Sequence, residues 1–176
     1  MIWPDAAAQR IEVDRQRLAS VDTMMAIVFS ALLSGAADRV LELTVDYANQ
    51  RSQFGRSIGR FQAVQNQMSS MAERVWAMRM AARLACQDAD PEAQYAMAAA
   101  AKATCSESAS HVAGVAHAVH GAMGITQEYD LQLCTRRMHE WRRAGGAQTY
   151  WASQLGKRVL AQKDSSVLDY IIRQMV

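Results

Sequence analysis

Apolar residues recur at three- and four-residue steps on both sides of a short break at residues 50–62. This spacing is typical of helices that bury one face, so each side of the break is predicted to be helical. The repeating residues are Leu32, Ala36, Val40, Leu43 and Tyr47 before the break, and Phe61, Val64, Met68, Met71, Val75, Met78 and Ala82 after it. The break contains Gly55 and Gly59, which permit positive φ or the close approach of another group. We therefore expect two helices that fold back on each other at this point.

Capping residues, a proline and glycines divide the rest of the chain into further helices. Asp22 is the predicted N-cap of the first helix, and Asp90 with Pro91 is the predicted start of the third. The expected helices cover approximately residues 22–49, 60–88, 91–120 and 130–145, with a fifth after Gly146 that ends near residue 162. Helices of this length with short connections pack as an antiparallel bundle. The predicted fold class is all-α, an up-and-down bundle of four or five helices.

The length of 176 residues is that of a single domain with a sizeable core. We expect a peripheral N-terminal segment over residues 1–19, the helical bundle over residues 20–162, and an apolar tail over residues 163–176. The apolar residues of the tail are Val167, Leu168, Tyr170, Ile171, Ile172 and Met175. Because so many apolar side chains are unfavourable in water, the tail is predicted to pack on a neighbour.

Charge and cysteine content exclude several classes of function. The formal net charge is +2, which argues against a dedicated nucleic-acid or membrane-surface binder. Cys86, Cys105 and Cys134 form no Cys-x-x-Cys pair and no signal peptide is recognisable, so we expect reduced thiols in a cytoplasmic protein. The most apolar run, residues 24–37, contains two serines and a glycine, and it is predicted to be a buried helix rather than a membrane span. The histidines show no metal-ligand clustering, so no metal site is predicted.

Two motifs at predicted helix junctions resemble one family. The first is Arg51-x-x-Phe54-Gly55 followed by Phe61-Gln62. The second runs from His117 to Tyr129 through Gly121-Ala122-Met123-Gly124, and Leu131 and Arg136-Arg137 follow it. They are similar to two turns in the C-terminal domain of acyl-CoA dehydrogenases, which are flavoproteins. The resemblance covers roughly residues 20–162, and two motifs in this order are more specific than either alone.

The resemblance implies a FAD site that is shared across a subunit interface. Similar enzymes place an arginine at the position of Arg51 against the flavin pyrophosphate of the adjoining subunit, and a guanidinium suits this role because it donates twice to phosphate oxygens. The implied cofactor-binding residues are Arg51, Phe54, Ile58, Gln62, His120, Gly121 and Ala122. The composition by itself favours an ion pair between Arg51 and a carboxylate such as Asp46. It is also compatible with Phe54 and Ile58 in the core and with a solvated Gln62.

The sequence departs from the family pattern in the second motif. Ala118 stands where the family usually carries a cofactor-binding glutamine, and Ala122 replaces a glycine. These changes remove a hydrogen bond and crowd the backbone, so they weaken the case for flavin contact through this turn.

The sequence also lacks the glutamate that removes the substrate α-proton in acyl-CoA dehydrogenases. The commonest position of that base falls on Gly145 or a neighbour, and the family's alternative position falls near Met25. No carboxylate occurs between Asp22 and Asp38. Glu140 is the remaining candidate base, but no catalytic residue is predicted.

The predicted function is therefore that of a component of a FAD-dependent acyl-CoA dehydrogenase, which desaturates an acyl-CoA thioester between the α and β carbons. The chain would contribute flavin contacts and an oligomer interface. It would act either within a longer chain or in a homo- or hetero-oligomer with an acyl-CoA dehydrogenase-like subunit that binds the acyl-CoA. The alternative is a non-enzymatic helical-bundle interaction protein that has lost flavin binding. Neither nucleic acid nor membrane is an expected partner.

Overall fold

The computed structural model describes residues 19–87, 90–162 and 166–175. Within these ranges the helices are α1 (Val21–Gln50), α2 (Gln62–Ala85), α3 (Pro91–His120), α4 (Leu131–Trp141), α5 (Gln148–Ala161) and α6 (Val167–Met175). A short antiparallel hairpin of β1 (Ser52–Gln53) and β2 (Arg56–Ser57), and 3-10 helices at Ile58–Arg60 and Gly121–Ile125, connect them. The predicted all-α class is confirmed. The predicted peripheral segment lies almost entirely outside the described residues.

The core lies where α1, α2 and α3 pack on one another, and α4 and α5 cover α1 and α3 respectively. Its fully buried residues include Leu33, Val40, Met71, Val75, Met78, Cys105, Val112, Leu131 and Met138. Alanines at 98, 101, 109 and 113 are buried along α3, where small side chains let neighbouring helices approach closely. The chain reverses direction at the hairpin between α1 and α2 and again between α2 and α3, so α1 and α3 point in the same direction. The turns that follow α1 and α3 therefore lie at one end of the bundle.

The N-cap and the buried face of α1 differ from prediction. Ser20, rather than Asp22, is the N-cap, and its hydroxyl accepts a hydrogen bond from the Thr23 amide at 3.2 Å. Val40 is fully buried as expected, but Leu32 is 40% exposed. The buried face consists mainly of small and hydroxyl residues, namely Thr23, Ala26, Ser30, Leu33, Ser34, Ala37, Val40, Thr44 and Ala48. Close packing against other helices selects small side chains, which a search for large apolar residues does not detect.

The other boundaries agree with local signals in most places. Asp90 caps α3, since its Oδ1 accepts from the amides of Glu92 and Ala93 at 3.0 and 3.2 Å. α2 begins two residues later than expected because a 3-10 turn precedes it. α4 ends at Trp141 rather than at Gly145, and residues 142–147, here named the α4–α5 turn, connect it to α5.

α1 also carries an outer apolar face. Among the helices of the described part of the chain, only α1 is long and apolar enough to cross a membrane. The buried helices of soluble proteins can have the same length and hydropathy. Since α1 packs on α2, α3 and α4, we interpret it as a core helix. The residues on its outer face are 40–72% exposed, and they are Val21, Met24, Met25, Val28 and Leu32.

The tail forms α6, which packs on α3 of its own chain. Tyr170 is 3% exposed and anchors the helix. Four apolar residues of α6 remain 47–64% exposed, and they are Val167, Leu168, Ile171 and Ile172. Packing of this outer face on a neighbour stays a prediction.

Candidate functional site

The turn after α1, here named the arginine turn (residues 51–61), presents an aromatic side chain to solvent. Phe54 and Gly55 have φ of 53° and 79°, so both adopt the left-handed conformation that a two-residue hairpin turn requires. A phenylalanine in this region is strained, and strain of this kind is concentrated at functional sites. The Phe54 side chain is 93% exposed and meets Phe61 edge to face at 6.2 Å between ring centroids. The structure therefore excludes the interpretation of Phe54 as a core residue.

Arg51 ends α1 and is held by its backbone. Its amide donates to the Tyr47 carbonyl and its carbonyl accepts from the Ile58 amide, each at 2.8 Å. The Arg51 side chain is exposed and forms no ion pair with any described residue, so the alternative pairing with Asp46 is absent. An unpaired guanidinium here is available to an external anion.

Ile58 and Gln62 lie on the same turn as Arg51. Ile58 is partly buried and begins the 3-10 helix, whereas Gln62 is exposed at the first position of α2. The arginine turn and the first residue of α2 thus carry an exposed cation, an exposed ring and an exposed amide within twelve residues of each other. Their predicted role in cofactor binding stays a prediction.

The turn after α3, here named the glycine turn (residues 121–126), leaves its first residues open. Gly121 has φ of 58°, no other group lies within 4 Å of the place that a Cβ would take there, and Gly121 and Ala122 are both exposed. Gly124 is buried, and a Cβ there would lie 2.9 Å from the His120 Cβ. The glycine turn therefore offers accessible backbone at its start and close packing at its end.

The predicted cofactor-binding role of His120 implied an accessible ring, but the structure places this ring in the interior. The residue is 2% exposed, and its Nδ1 donates to the Ala116 carbonyl at 2.8 Å. Its ring stacks on Tyr47 at 4.3 Å and contacts Tyr129 at 5.0 Å. Burial lowers the pKa of His120, so the ring is neutral at pH 7, and its buried Nε2 has no hydrogen-bond partner among the described residues. The buried His120 side chain therefore packs on the inner side of the glycine turn.

The two positions considered for a catalytic base meet in space. A Cβ on Gly145 would lie 3.3 Å from the Met25 Cβ and 2.9 Å from the Phe29 ring. Neither position carries a carboxylate, and Phe29 fills the space where one would extend from residue 145. Glu140, the remaining candidate, lies on the exposed surface of α4 and pairs with Arg137 at 2.9 Å. No described carboxylate therefore occupies the expected place of the base.

A buried lysine holds the α4–α5 turn beside Gly145. Lys102 is fully buried, and its Nζ donates to the carbonyls of Trp141, Arg142 and Gly146 at 3.2, 3.2 and 2.8 Å and to the Ser106 hydroxyl at 2.9 Å. Burial lowers the pKa of Lys102 to about 8. Sequence reasoning missed this residue, although a single charge in an alanine-rich stretch of α3 is a signal that could have revealed it.

The three cysteines are free thiols in the structure. Burial raises the pKa of Cys105 to about 12, so this thiol is neutral and unreactive at pH 7. No cluster of three or more potential metal ligands occurs within the described ranges. The cytoplasmic location inferred from the cysteines stays a prediction.

Comparison with known proteins gives consistent matches. A family model described as the acyl-CoA dehydrogenase C-terminal domain matches residues 23–160. Acyl-CoA dehydrogenase IpdE2 from Mycobacterium tuberculosis (strain ATCC 25618 / H37Rv) is 40% identical over 114 residues, which are 65% of this chain and 35% of that protein. The structure of PigA with FAD and proline has a TM-score of 0.70 and 29% identity, over 78% of this chain and 36% of that one.

The structure of a glutaryl-coenzyme A dehydrogenase with glutaryl-CoA has a TM-score of 0.72 and 25% identity. It is matched over 80% of this chain and 36% of its own. The chain thus spans about a third of the length of the relatives that it matches.

Proposed function

This chain belongs to the acyl-CoA dehydrogenase family and corresponds to its C-terminal helical domain, and we propose on this basis that it is a component of a larger enzyme. The proposed enzyme depends on FAD and desaturates an acyl-CoA thioester. In such a reaction a base would remove the α-proton of the thioester, and bound FAD would supply the acceptor for the β-hydrogen. The chain contributes part of the flavin site and an oligomer interface. The base comes from elsewhere in the assembly.

The observation that carries this proposal is that the arginine turn carries both the exposed side chain of Arg51, which forms no ion pair with any described residue, and the exposed ring of Phe54. Arg51 would bind the pyrophosphate, and Phe54 and Ile58 would line the adenine side. Gln62 would donate a hydrogen bond from the start of α2, and the open backbone of the glycine turn would follow the diphosphate. All these groups except Ile58 lie at the surface of one bundle end, so a second protein surface is needed to enclose the cofactor.

The base and the acyl pocket are assigned to a partner subunit or to another part of a longer chain. Gly145 has no proton acceptor, and Phe29 occupies the adjacent space. The outer apolar face of α1 is continuous with a groove of about 640 Å³ between α1 and α4. The groove is lined by Ala31, Leu32, Gly35, Ala36, Leu133, Cys134, Arg137 and Trp141. Apolar surfaces of this kind mark interaction sites, which supports covering by a dehydrogenase-like protein.

Co-expression tests the proposal. The chain is produced together with a candidate acyl-CoA dehydrogenase-like protein from the same genome, and the flavin absorption spectrum is recorded for the complex and for each protein alone. We expect bound FAD in the complex, with an affinity lowered at least tenfold by Arg51→Ala, because a charge-assisted hydrogen bond contributes about 1.5–3 kcal/mol. Arg60→Ala removes the same charge from the same turn and should leave the affinity unchanged. Equal loss in both variants would contradict the assignment of Arg51.

A non-enzymatic interaction protein is the second candidate. It is favoured by Ala118, which is exposed and lacks the amide that the motif usually carries, and by the apolar surroundings of Gly145. A colourless complex that forms stably and contains no flavin would support this function and overturn the first.

A further inference from the structure

One side chain joins the arginine turn to the glycine turn. Tyr47 lies in the last turn of α1, and its ring stacks on His120, the last residue of α3, with 4.3 Å between centroids and 26° between planes. We propose that Tyr47 is a positioning residue that holds the two cofactor turns at a fixed separation. This inference rests on the proposed function and adds to it a residue that the cofactor would not need to touch.

On one side, Tyr47 is bonded to the base of the arginine turn. Its carbonyl accepts from the Arg51 amide, and the Arg51 carbonyl accepts from the Ile58 amide, each at 2.8 Å. A displacement of Tyr47 is therefore transmitted through two backbone hydrogen bonds to the residues that flank the hairpin. The side chain of Arg51 starts from this same backbone.

On the other side, Tyr47 is bonded to the start of the glycine turn. Its hydroxyl donates to the His120 carbonyl at 3.3 Å, immediately before Gly121. The His120 ring cannot turn away, because it is buried and its Nδ1 donates to the Ala116 carbonyl. Tyr129 contacts both rings, at 6.0 Å from Tyr47 and 5.0 Å from His120, and closes the cluster.

Within the described ranges, no other side-chain hydrogen bond joins the last two turns of α1 or the arginine turn to His120 or to the glycine turn that follows it. A ligand that contacts both turns binds best when their separation is already correct, since ordering on binding lowers affinity. Tyr47 therefore sets how well Arg51 and the backbone of Gly121 can act on the same diphosphate group.

The test compares Tyr47→Leu, which removes the ring and the hydroxyl, with Tyr47→Phe, which keeps the ring. Val40→Ala serves as the control, because it weakens the buried core on the same helix without touching either turn. FAD affinity is measured by flavin titration of the complex with the partner subunit. Amide hydrogen exchange is measured by mass spectrometry on the chain without cofactor.

We expect Tyr47→Leu to lower the FAD affinity about five- to tenfold, as for loss of an aromatic pair. Tyr47→Phe should restore most of the affinity, and Val40→Ala should leave it unchanged. In an Arg51→Ala background, Tyr47→Leu should cause a smaller further loss, because Tyr47 acts by placing Arg51 and the Gly121 backbone on the same diphosphate group and one of these two contacts is already missing. An unchanged affinity in Tyr47→Leu, or an equal loss in Val40→Ala, overturns the inference.

Hydrogen exchange separates failure of this inference from failure of the proposed function. Tyr47→Leu should accelerate exchange in peptides that contain the Arg51 and Ile58 amides and the glycine turn, while the middle of α2 keeps its protection. If the wild-type complex binds no FAD, the proposed function fails. The exchange pattern then decides by itself whether Tyr47 couples the arginine turn to the glycine turn. Uniform acceleration over the whole chain, or none, overturns the role of Tyr47.

Discussion

Replacement of Lys102 by methionine should destabilise the α4–α5 turn. Methionine is similar in size and apolar, so it removes the charge and its donors while it leaves no large cavity. The partly buried carbonyls of Trp141, Arg142 and Gly146 then lose their donor. Three unsatisfied carbonyls cost about 1–3 kcal/mol each, and relief of the unfavourable charge burial returns about 3 kcal/mol, so we expect a net loss of about 3 kcal/mol.

Urea denaturation followed by tryptophan fluorescence measures this loss. Trp151 is a suitable probe because its Nε1 donates to the Gly145 carbonyl at 2.7 Å, within the α4–α5 turn. Lys157→Met on the exposed surface of α5 is the matched control and should change the free energy of unfolding by less than about 0.5 kcal/mol. If Lys102→Met proved as stable as the control, the lysine–carbonyl network would not stabilise the fold and the reasoning would be refuted.

The pH dependence gives a second measurement on the same variant. The pKa of Lys102 is lowered from 10.5 to about 8 in the folded chain, so between these values the unfolded chain binds more protons and the free energy of unfolding rises with pH. The pKa of Cys105 is raised from 9.0 to about 12, which makes the free energy of unfolding fall above pH 9. From pH 8 to 9 the Lys102 contribution, up to about 1.4 kcal/mol per pH unit, should exceed the opposing Cys105 contribution, which only begins as the unfolded thiol titrates towards pH 9, and the rise should be absent in Lys102→Met.

Three further substitutions test the site. His120→Phe keeps the ring stack and removes both a buried acceptor without a partner and the Nδ1 hydrogen bond to Ala116, so thermal denaturation should show nearly unchanged stability; a loss above about 1.5 kcal/mol, more than that hydrogen bond contributes, would mean that Nε2 is also satisfied. Gly145→Glu should lower the melting temperature, since φ is 65° and Phe29 blocks the Cβ, and an added Phe29→Ala should recover part of the loss; a Gly145→Glu variant as stable as wild type would refute this. Phe54→Gly should raise the free energy of unfolding by about 1 kcal/mol through relief of positive φ while it weakens FAD binding in titrations; unchanged stability together with unchanged affinity would contradict the assignment of Phe54.

Features that depend on a few neighbouring residues could be predicted well from the sequence. Asp90, Pro91 and Gly121 bound α3 as expected, because capping and chain termination are decided within one helical turn. The periodic apolar residues of α2 identified its buried face, where Met71, Val75 and Met78 are all enclosed. Not every large side chain of α2 follows this pattern, since Trp76 and Met80 are more than half exposed.

Prediction failed where several helices surround one segment. α1 packs on three other helices, and its buried face is selected for small size, so the larger apolar residues that define its periodicity lie partly at the surface. His120 is a second example, since the last residue of α3, directly before an exposed turn, is itself covered by Tyr47 and Tyr129. Burial of this kind depends on neighbours that are distant in sequence.

The sequence by itself determined the fold class, the positions of the two motif turns and the absence of a carboxylate at residue 145. Only the tertiary structure decided that Met25 and Phe29 meet Gly145, that Lys102 lies beneath the same turn, and that Tyr47 joins the two motifs through His120. The physical reason is the range of the forces involved. Caps, turns and periodicity act between residues a few positions apart, whereas these contacts exist only because helices from distant parts of the chain pack side by side.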